Sequence, residues 1–208
     1  MSPLYRGPFL RGAGQAAELV VGQWGMIPPD SQTSIPKGKD GKRLSTVNAR
    51  REGMVKSWTY GGPWRRGQRC IIPAQSYVEP YWQDGVHTAW QFSRADGEQW
   101  GLAGLWNEWT DPSTGEVLLN FTMVTQNCDA HPLLRLMHRP DPKRPQHMQD
   151  KRTVVPLEKG DWHAWLHGTI EQAEALIQLP PVALFKHGPQ DPTKEVQLVI
   201  VSDLDPQE

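Results

Sequence analysis

Cysteine is almost missing from this chain: Cys70 and Cys128 are the only two in 208 residues. Their spacing matches neither a zinc motif nor a redox pair, so both read as small buried hydrophobes. Long apolar runs are missing too. No stretch approaches the roughly 20 residues that a membrane span needs, and the start, MSPLYRGPFLRG, lacks the apolar core of a signal peptide. The expected address is the cytoplasm, with no membrane partner. There is no G-x-S-x-G elbow, Walker loop or H-E-x-x-H helix, which removes the commonest hydrolase, nucleotide and zinc chemistries. His131 and His138 lie about two helical turns apart rather than at the four-residue spacing of helical metal pairs, so no metal site and no cofactor is expected. Internal repeats and linkers are absent, and the length suits a single domain over residues 1–208. Nothing demands more than a monomer.

What is present in excess is tryptophan: ten, against four Phe and four Tyr. Such a surplus serves either a core with polar handles or a stacking surface. Charge is nearly balanced at -1 but unevenly placed. Residues 37–69 hold ten Lys and Arg against Asp40 and Glu52, a local +8 that leaves -9 on the rest. That pattern suits an anion-binding face for a polyphosphate, or a solvated loop.

Strand-like segments recur at 19–28, 69–73, 76–82, 88–94, 99–109, 117–126, 152–157 and 195–202, separated by Gly, Pro, Asp or Asn. Helical signals are fewer, at 48–58, 130–137 and a pair over 160–178. The expected class is α+β, mainly antiparallel, with a barrel-like or bifurcated sheet core and short surrounding helices. Two Pro-rich and Lys/Arg-rich stretches, 27–46 and 138–151, break the pattern, and loops of that length tend to be functional or mobile.

Three places stand out chemically. Glu79 is the lone charge in CIIPAQSYVEPYW (70–82), where apolar neighbours would raise its pKa towards that of a general acid or base. The alternative is an edge-strand glutamate facing water, and Pro80 supports the edge. His138 stands where HPLLRLMH meets a proline-rich loop, placed to transfer protons near neutral pH or to be merely structural. Asn48 and Arg50 in TVNARREG stand at an expected helix start, Asn48 as a cap and Arg50 with Arg51 beside a dipole that favours phosphate.

Taken together, QWGMIP (23–28), NAR (48–50), RCIIPAQSYVEP (69–80), GLAGLWNEW (101–109), FTMVTQNCDAHPLLRLMHRP (121–140) and DKRTVVPL (150–157) resemble the SRAP family, abasic-site processing proteins that shield damaged single-stranded DNA. The resemblance implies a covalent sensor. The amine and thiol of an N-terminal cysteine, exposed by peptidase-like removal of the initiator Met, condense with the aldehyde of a ring-opened abasic sugar into a thiazolidine. It further implies that Glu79 shuttles the amine proton, that His138 assists sugar-ring opening and reversal of the link, and that Asn48 positions the N-terminal residue. Arg50, Trp24, Thr125 and Arg152 match positions that hold DNA near the lesion. One departure stands against this pattern: residue 2 is Ser, and both cysteines are internal. The start resembles a point partway into family members, so the expectation is either a start codon placed too far downstream or a truncated relative that only binds single-stranded DNA. The retention of Glu79, His138 and Asn48 favours the first. A hydrolase or peptidase using Glu79 and His138, and a Trp-rich carbohydrate-binding domain, are the remaining classes.

Overall fold

Gly14, at φ 60°, turns the chain from its first strand into its second, with Ala13 opposite Ala16. In the computed structural model, which describes residues 4–194, the elements in chain order are β1 (Arg6–Ala13), β2 (Ala16–Trp24), β3 (Asn48–Arg50), α1 (Arg51–Met54), α2 (Gly61–Arg65), β4 (Arg69–Ala74), β5 (Tyr77–Gln83), β6 (Val86–Arg94), β7 (Trp100–Thr110), β8 (Val117–Asn127), β9 (Arg152–Val154), β10 (Pro156–Leu157), α3 (Trp162–His167), α4 (Ile170–Ala175) and β11 (Phe185–Pro189). The chain forms two compact units. One is built from residues up to Ala74, Trp100–Gln126 and Val154–Gln178, the other from Gln75–Gln99, Asn127–Thr153 and residues from Leu179 onward. The fold is α+β and mainly antiparallel, with short helices.

In the first unit β7, β4, β1, β2 and β8 pair in sequence, and β7 pairs with β8 to close a five-stranded barrel. The barrel thereby buries the sheet edges that an open sheet leaves unpaired. Strand β8 is its hub. One of its edges binds β7 from Val117 to Met123, while along the other β2 pairs at Asn120 and Phe121 and β3 at Met123 to Thr125. Gly25, at φ 128°, turns the chain away after Trp24 and so leaves room for β3. One face of this sheet packs on the helices: Ala49, Ile71, Ala103, Leu105 and Val124 cluster with Met54, Trp64, Trp165, Leu166 and Ile177. On the opposite face Phe9 meets Phe121 at 5.0 Å.

Tryptophan mostly serves the core, and several indole N–H groups find backbone acceptors. Trp165 donates to the Cys70 carbonyl at 2.9 Å, Trp109 to Ser31 at 3.1 Å and Trp24 to Val47 at 3.1 Å. Much of the basic run is likewise structural. Arg69 is buried and donates to the carbonyls of Trp165 and Gly168. Arg51 reaches the Ile177 carbonyl and Glu174, and Arg65 the Val55 carbonyl. The +8 segment is therefore not one anion-binding face.

The second unit holds a three-stranded antiparallel sheet, β11-β6-β5. An Asp84-Gly85 turn, both residues at positive φ, joins β5 to β6 as the backbone of a two-residue hairpin requires.

Several local expectations are corrected. The helix expected over 48–58 is instead β3 followed by a four-residue helix, because the open edge of β8 takes up residues 48–50. The segment 130–137 forms only a 3-10 turn at Leu134–Leu136, and β1 and β11 were not expected at all. The expected pair over 160–178 is present as α3 and α4, the latter started by a capping box of Thr169 and Gln172. The strand expected at 195–202 lies outside the described residues.

Closure of the barrel requires close approach at Gly104, where a Cβ would lie 2.7 Å from the Thr122 carbonyl oxygen and 2.8 Å from Cys70 Sγ. Gly104→Ala is expected to destabilise the fold by about 1–3 kcal/mol, read as a lowered urea midpoint at unchanged slope.

Candidate active site

Glu79 lies in β5, which is the edge strand that Pro80 led one to expect, yet the edge is covered. Tyr81 bridges Met137, and the His138 N–H donates to the Pro80 carbonyl at 2.6 Å. Because side chains alternate along a strand, Glu79 shares its face with Tyr77 and Tyr81 rather than with Val78 and Pro80. Tyr77 stacks on Phe92 and Tyr81 meets Trp90 in a tilted contact, each at 5.2 Å, so the carboxylate stands between aromatic pairs. Burial pushes its pKa up from 4.5 to about 7.

His138 adopts φ 62°, a left-handed conformation that costs a side-chain-bearing residue about 1–2 kcal/mol. The turn is tied at three points, since the His138 carbonyl also accepts from Lys151 Nζ at 2.6 Å and the ring closes the third. His138 Nε2 lies 3.3 Å from Glu79 Oε2 and 3.1 Å from the Arg152 carbonyl. A carbonyl only accepts, so Nε2 carries the hydrogen and Nδ1 is the basic nitrogen. Burial lowers the His138 pKa, the Lys151 charge adds to this, and the Arg152 carbonyl opposes it. Near neutrality the pair therefore combines a neutral imidazole with a carboxyl that both takes and gives a proton.

Arg152 backs the pair, its guanidinium reaching Asp150 Oδ1 at 3.4 Å. Behind it, the Asp129 carboxylate accepts from the backbone N–H of Asp150 and Lys151 at 2.9 and 2.8 Å, bracing the segment. Lys151 and Asp129 were missed by sequence reasoning, although Lys151 stands inside the DKRTVVPL block. A lysine that is only 6% exposed and bonded to a histidine carbonyl leaves no pattern in sequence. His131 is a satisfied core histidine: it faces the Pro180 carbonyl at 2.8 Å through Nε2 and accepts at Nδ1 from Leu133 and Leu134 N–H. Cys128 is buried, and burial, followed by Asp129 and Glu79, pushes its thiol up to about 12. Burial also drives the Cys70 thiol far above its usual value.

The other four residues singled out in the sequence lie in the first unit. Trp24, Asn48 and Arg50 stand opposite Phe121, Met123 and Thr125 along one strand, β8. At about 3.3 Å per residue they span roughly 13 Å. All share the face opposite Ala49 and Val124, away from the helix-packed core. Asn48 and Arg50 are exposed, Trp24 half-buried and Thr125 buried. Asn48 is no helix cap: its carbonyl accepts from Tyr60 Oη at 3.3 Å, inside a strand.

A family model described as "SOS response associated peptidase (SRAP)" matches residues 1–192. The chain belongs to the SRAP family. Among curated SRAP relatives, it is 28% identical over 121 residues to the abasic site processing protein HMCES of Gallus gallus, covering 50% of this chain and 35% of that one. It is 24% identical over 144 residues to HMCES of Pongo abelii, covering 56% and 40%. The chain thus spans well under two thirds of the length of these relatives. A crystal structure of a Bordetella bronchiseptica protein superposes with a TM-score of 0.78 at 33% identity, covering 95% of this chain and 87% of that one. A Bacteroides thetaiotaomicron protein shares the fold at TM-score 0.71 and 19% identity, covering 88% and 73%. Among the described residues no helix is long and apolar enough to cross a membrane.

The raised Glu79 pKa has a stability consequence. The folded chain holds this proton more tightly than the unfolded chain, so the carboxyl's contribution is fully present below pH 4.5 and is lost as pH rises through about 7. The loss is on the order of 3 kcal/mol. Glu79→Gln is expected to remove it, so that the variant gains stability over the parent between pH 5 and pH 8 in urea titrations. An equal pH dependence of the two proteins would refute the buried carboxyl.

Proposed function

We propose that this SRAP protein acts on abasic sites in single-stranded DNA, with Glu79 and His138 as its proton-transfer pair. The observation that carries this reading is the 3.3 Å contact between Glu79 Oε2 and His138 Nε2, in a setting where the carboxyl titrates near 7. The HMCES relatives are named for abasic-site processing, which supports the substrate class.

The chemistry runs through an α-amine, whose pKa of about 8 leaves part of it unprotonated at neutral pH. Glu79 takes the proton of an ammonium, the free amine adds to the C1 aldehyde of the ring-opened sugar, and the protonated carboxyl returns its proton to the departing hydroxyl. A protonated imine and one water result. A neighbouring thiol then adds through sulfur to the imine carbon, its proton is released to solvent, the C=N electron pair returns to nitrogen, and a neutral thiazolidine closes. His138, neutral and basic at Nδ1, assists the ring-opening of the sugar and its reversal. Asn48 positions the amine-bearing residue, and Arg50, Trp24, Thr125 and Arg152 hold the strand. Neither Cys70 nor Cys128 serves as the nucleophile, because each is buried and offers no α-amine. Peptidase-like removal of an initiator Met ahead of an N-terminal cysteine precedes this chemistry, because hydrolysis of that peptide bond frees the α-amine.

A second reading rests on the row of Trp24, Asn48 and Arg50 along β8, which can hold a strand without any reaction: a single-stranded DNA-binding module that makes no covalent link. Both readings meet one test. The chain that starts at Met1, and a variant extended at its N-terminus so that it begins with a free cysteine, are incubated with single-stranded DNA bearing one abasic site and then denatured on a gel. A shifted band that survives denaturation is expected for a chain with an N-terminal cysteine, and Glu79→Gln slows its appearance by about 100-fold or more. Salt-sensitive binding with no surviving band in either chain would leave the binding module.

A further inference from the structure

The loop at 27–46, which carries Lys37, Lys39 and Lys42 of the basic run, is not used by the proton-transfer pair, and it is a built structure. Lys37 bridges Arg43, Gly38 N–H donates to the Lys42 carbonyl at 2.8 Å, and Leu44 N–H to Pro36 at 2.9 Å. Side chains of the barrel fasten its stem: Gln23 donates to the Ser34 carbonyl at 2.8 Å, Trp109 to Ser31 at 3.1 Å, and Asn120 Oδ1 accepts from Ile27 N–H at 3.0 Å. Between this loop and the segment after α1 lies a cleft of about 530 Å³.

Its wall carries Trp58, which is 68% exposed. The indole is oriented rather than loose, because Nε1 donates to Asp30 Oδ1 at 3.0 Å. That bond also turns the one carboxylate lining the cleft towards the ring. Lys37 and Lys39 line the same cleft and are exposed, with Ile35 and Leu44 as apolar floor. Lys42, by contrast, pairs with Asp40 at 3.6 Å. A flat π-face, two ammonium groups and an apolar floor together match the chemistry of a nucleotide, with its base to stack and its phosphates to neutralise. The segment that carries Trp58 is also tied to β3 of the same unit. Tyr60, two residues beyond Trp58, donates to the Asn48 carbonyl at 3.3 Å.

We propose that this cleft is a stacking subsite for an unpaired nucleotide of the bound strand, with the base on Trp58 and flanking phosphates on Lys37 and Lys39. The proposal rests on reading the protein as a single-strand binder, and it gives that reading a residue-level contact away from the reacting centre. Preorganisation by the Asp30 bond and the fastened loop stem favours affinity without sequence preference, since every base offers a π-face.

The test uses a fluorescein-labelled oligothymidylate without any lesion, followed by anisotropy across a salt series, so that no covalent step enters. Trp58→Ala is expected to weaken binding at least about five-fold with an unchanged salt slope, and Trp58→Phe to restore most of it. Lys37→Ala with Lys39→Ala is expected to weaken binding and flatten the slope by about 1.4, the value for two phosphates on a single strand. Parental affinity in both variants, or no binding by the parent, overturns the subsite. Capture of abasic DNA in a chain whose cleft variants bind normally leaves the proposed function standing and removes only the subsite. Cleft-dependent binding without capture has the opposite meaning: it keeps the subsite and removes the covalent reading.

Discussion

Strand β8 is the constraint on which the first unit depends. Its eleven residues have both edges hydrogen-bonded, and the second edge is divided between β2 and β3. That division happens because Gly25 tolerates φ 128°, where a side chain would strain. The same edge that satisfies the backbone of β8 therefore lines up Trp24, Asn48 and Arg50 in order. Closure against β7 needs Gly104 to approach the Thr122 carbonyl, so barrel packing and the alignment of these residues have a common origin in one strand.

In the second unit the governing term is desolvation. Placing Glu79 between Tyr77 and Tyr81 disfavours its charge, and a histidine stands 3.3 Å away. The histidine in turn sits in a left-handed turn held by Pro80, Lys151 and Arg152. Strain and desolvation of this kind persist where the surroundings over-determine them, a common property of reacting sites. The stability lost as pH rises from 4.5 through about 7 and the proton affinity useful for imine chemistry are two expressions of the same burial.

Much of this was legible in the sequence, for identifiable reasons. Segments with dense β-branched and aromatic residues between turn punctuation, such as 69–73 and 117–126, fold as strands because local propensity and burial agree there. Glu79 was conspicuous because a charge among apolar residues must be either solvated or partnered. Residues 6–13 and 48–50 were misread because their local preferences are weak and an available sheet edge decided their state. Lys151 and Asp129 were invisible because their roles are contacts to backbone groups distant in sequence.

The sequence by itself determined the class of fold, the SRAP resemblance and the chemical identities of Glu79, His138, Asn48 and Arg50, since these depend on residue type and order. It took the folded chain to bring Tyr77 and Tyr81 beside Glu79, to face Nε2 of His138 towards it, to set Arg51, Arg65 and Arg69 to work in the scaffold, and to place the exposed Trp58 on a cleft with Lys37 and Lys39. The physical reason is that pKa, tautomer and accessibility are set by which groups exclude water and which accept hydrogen bonds. Those neighbours come from segments that the chain brings together only on folding.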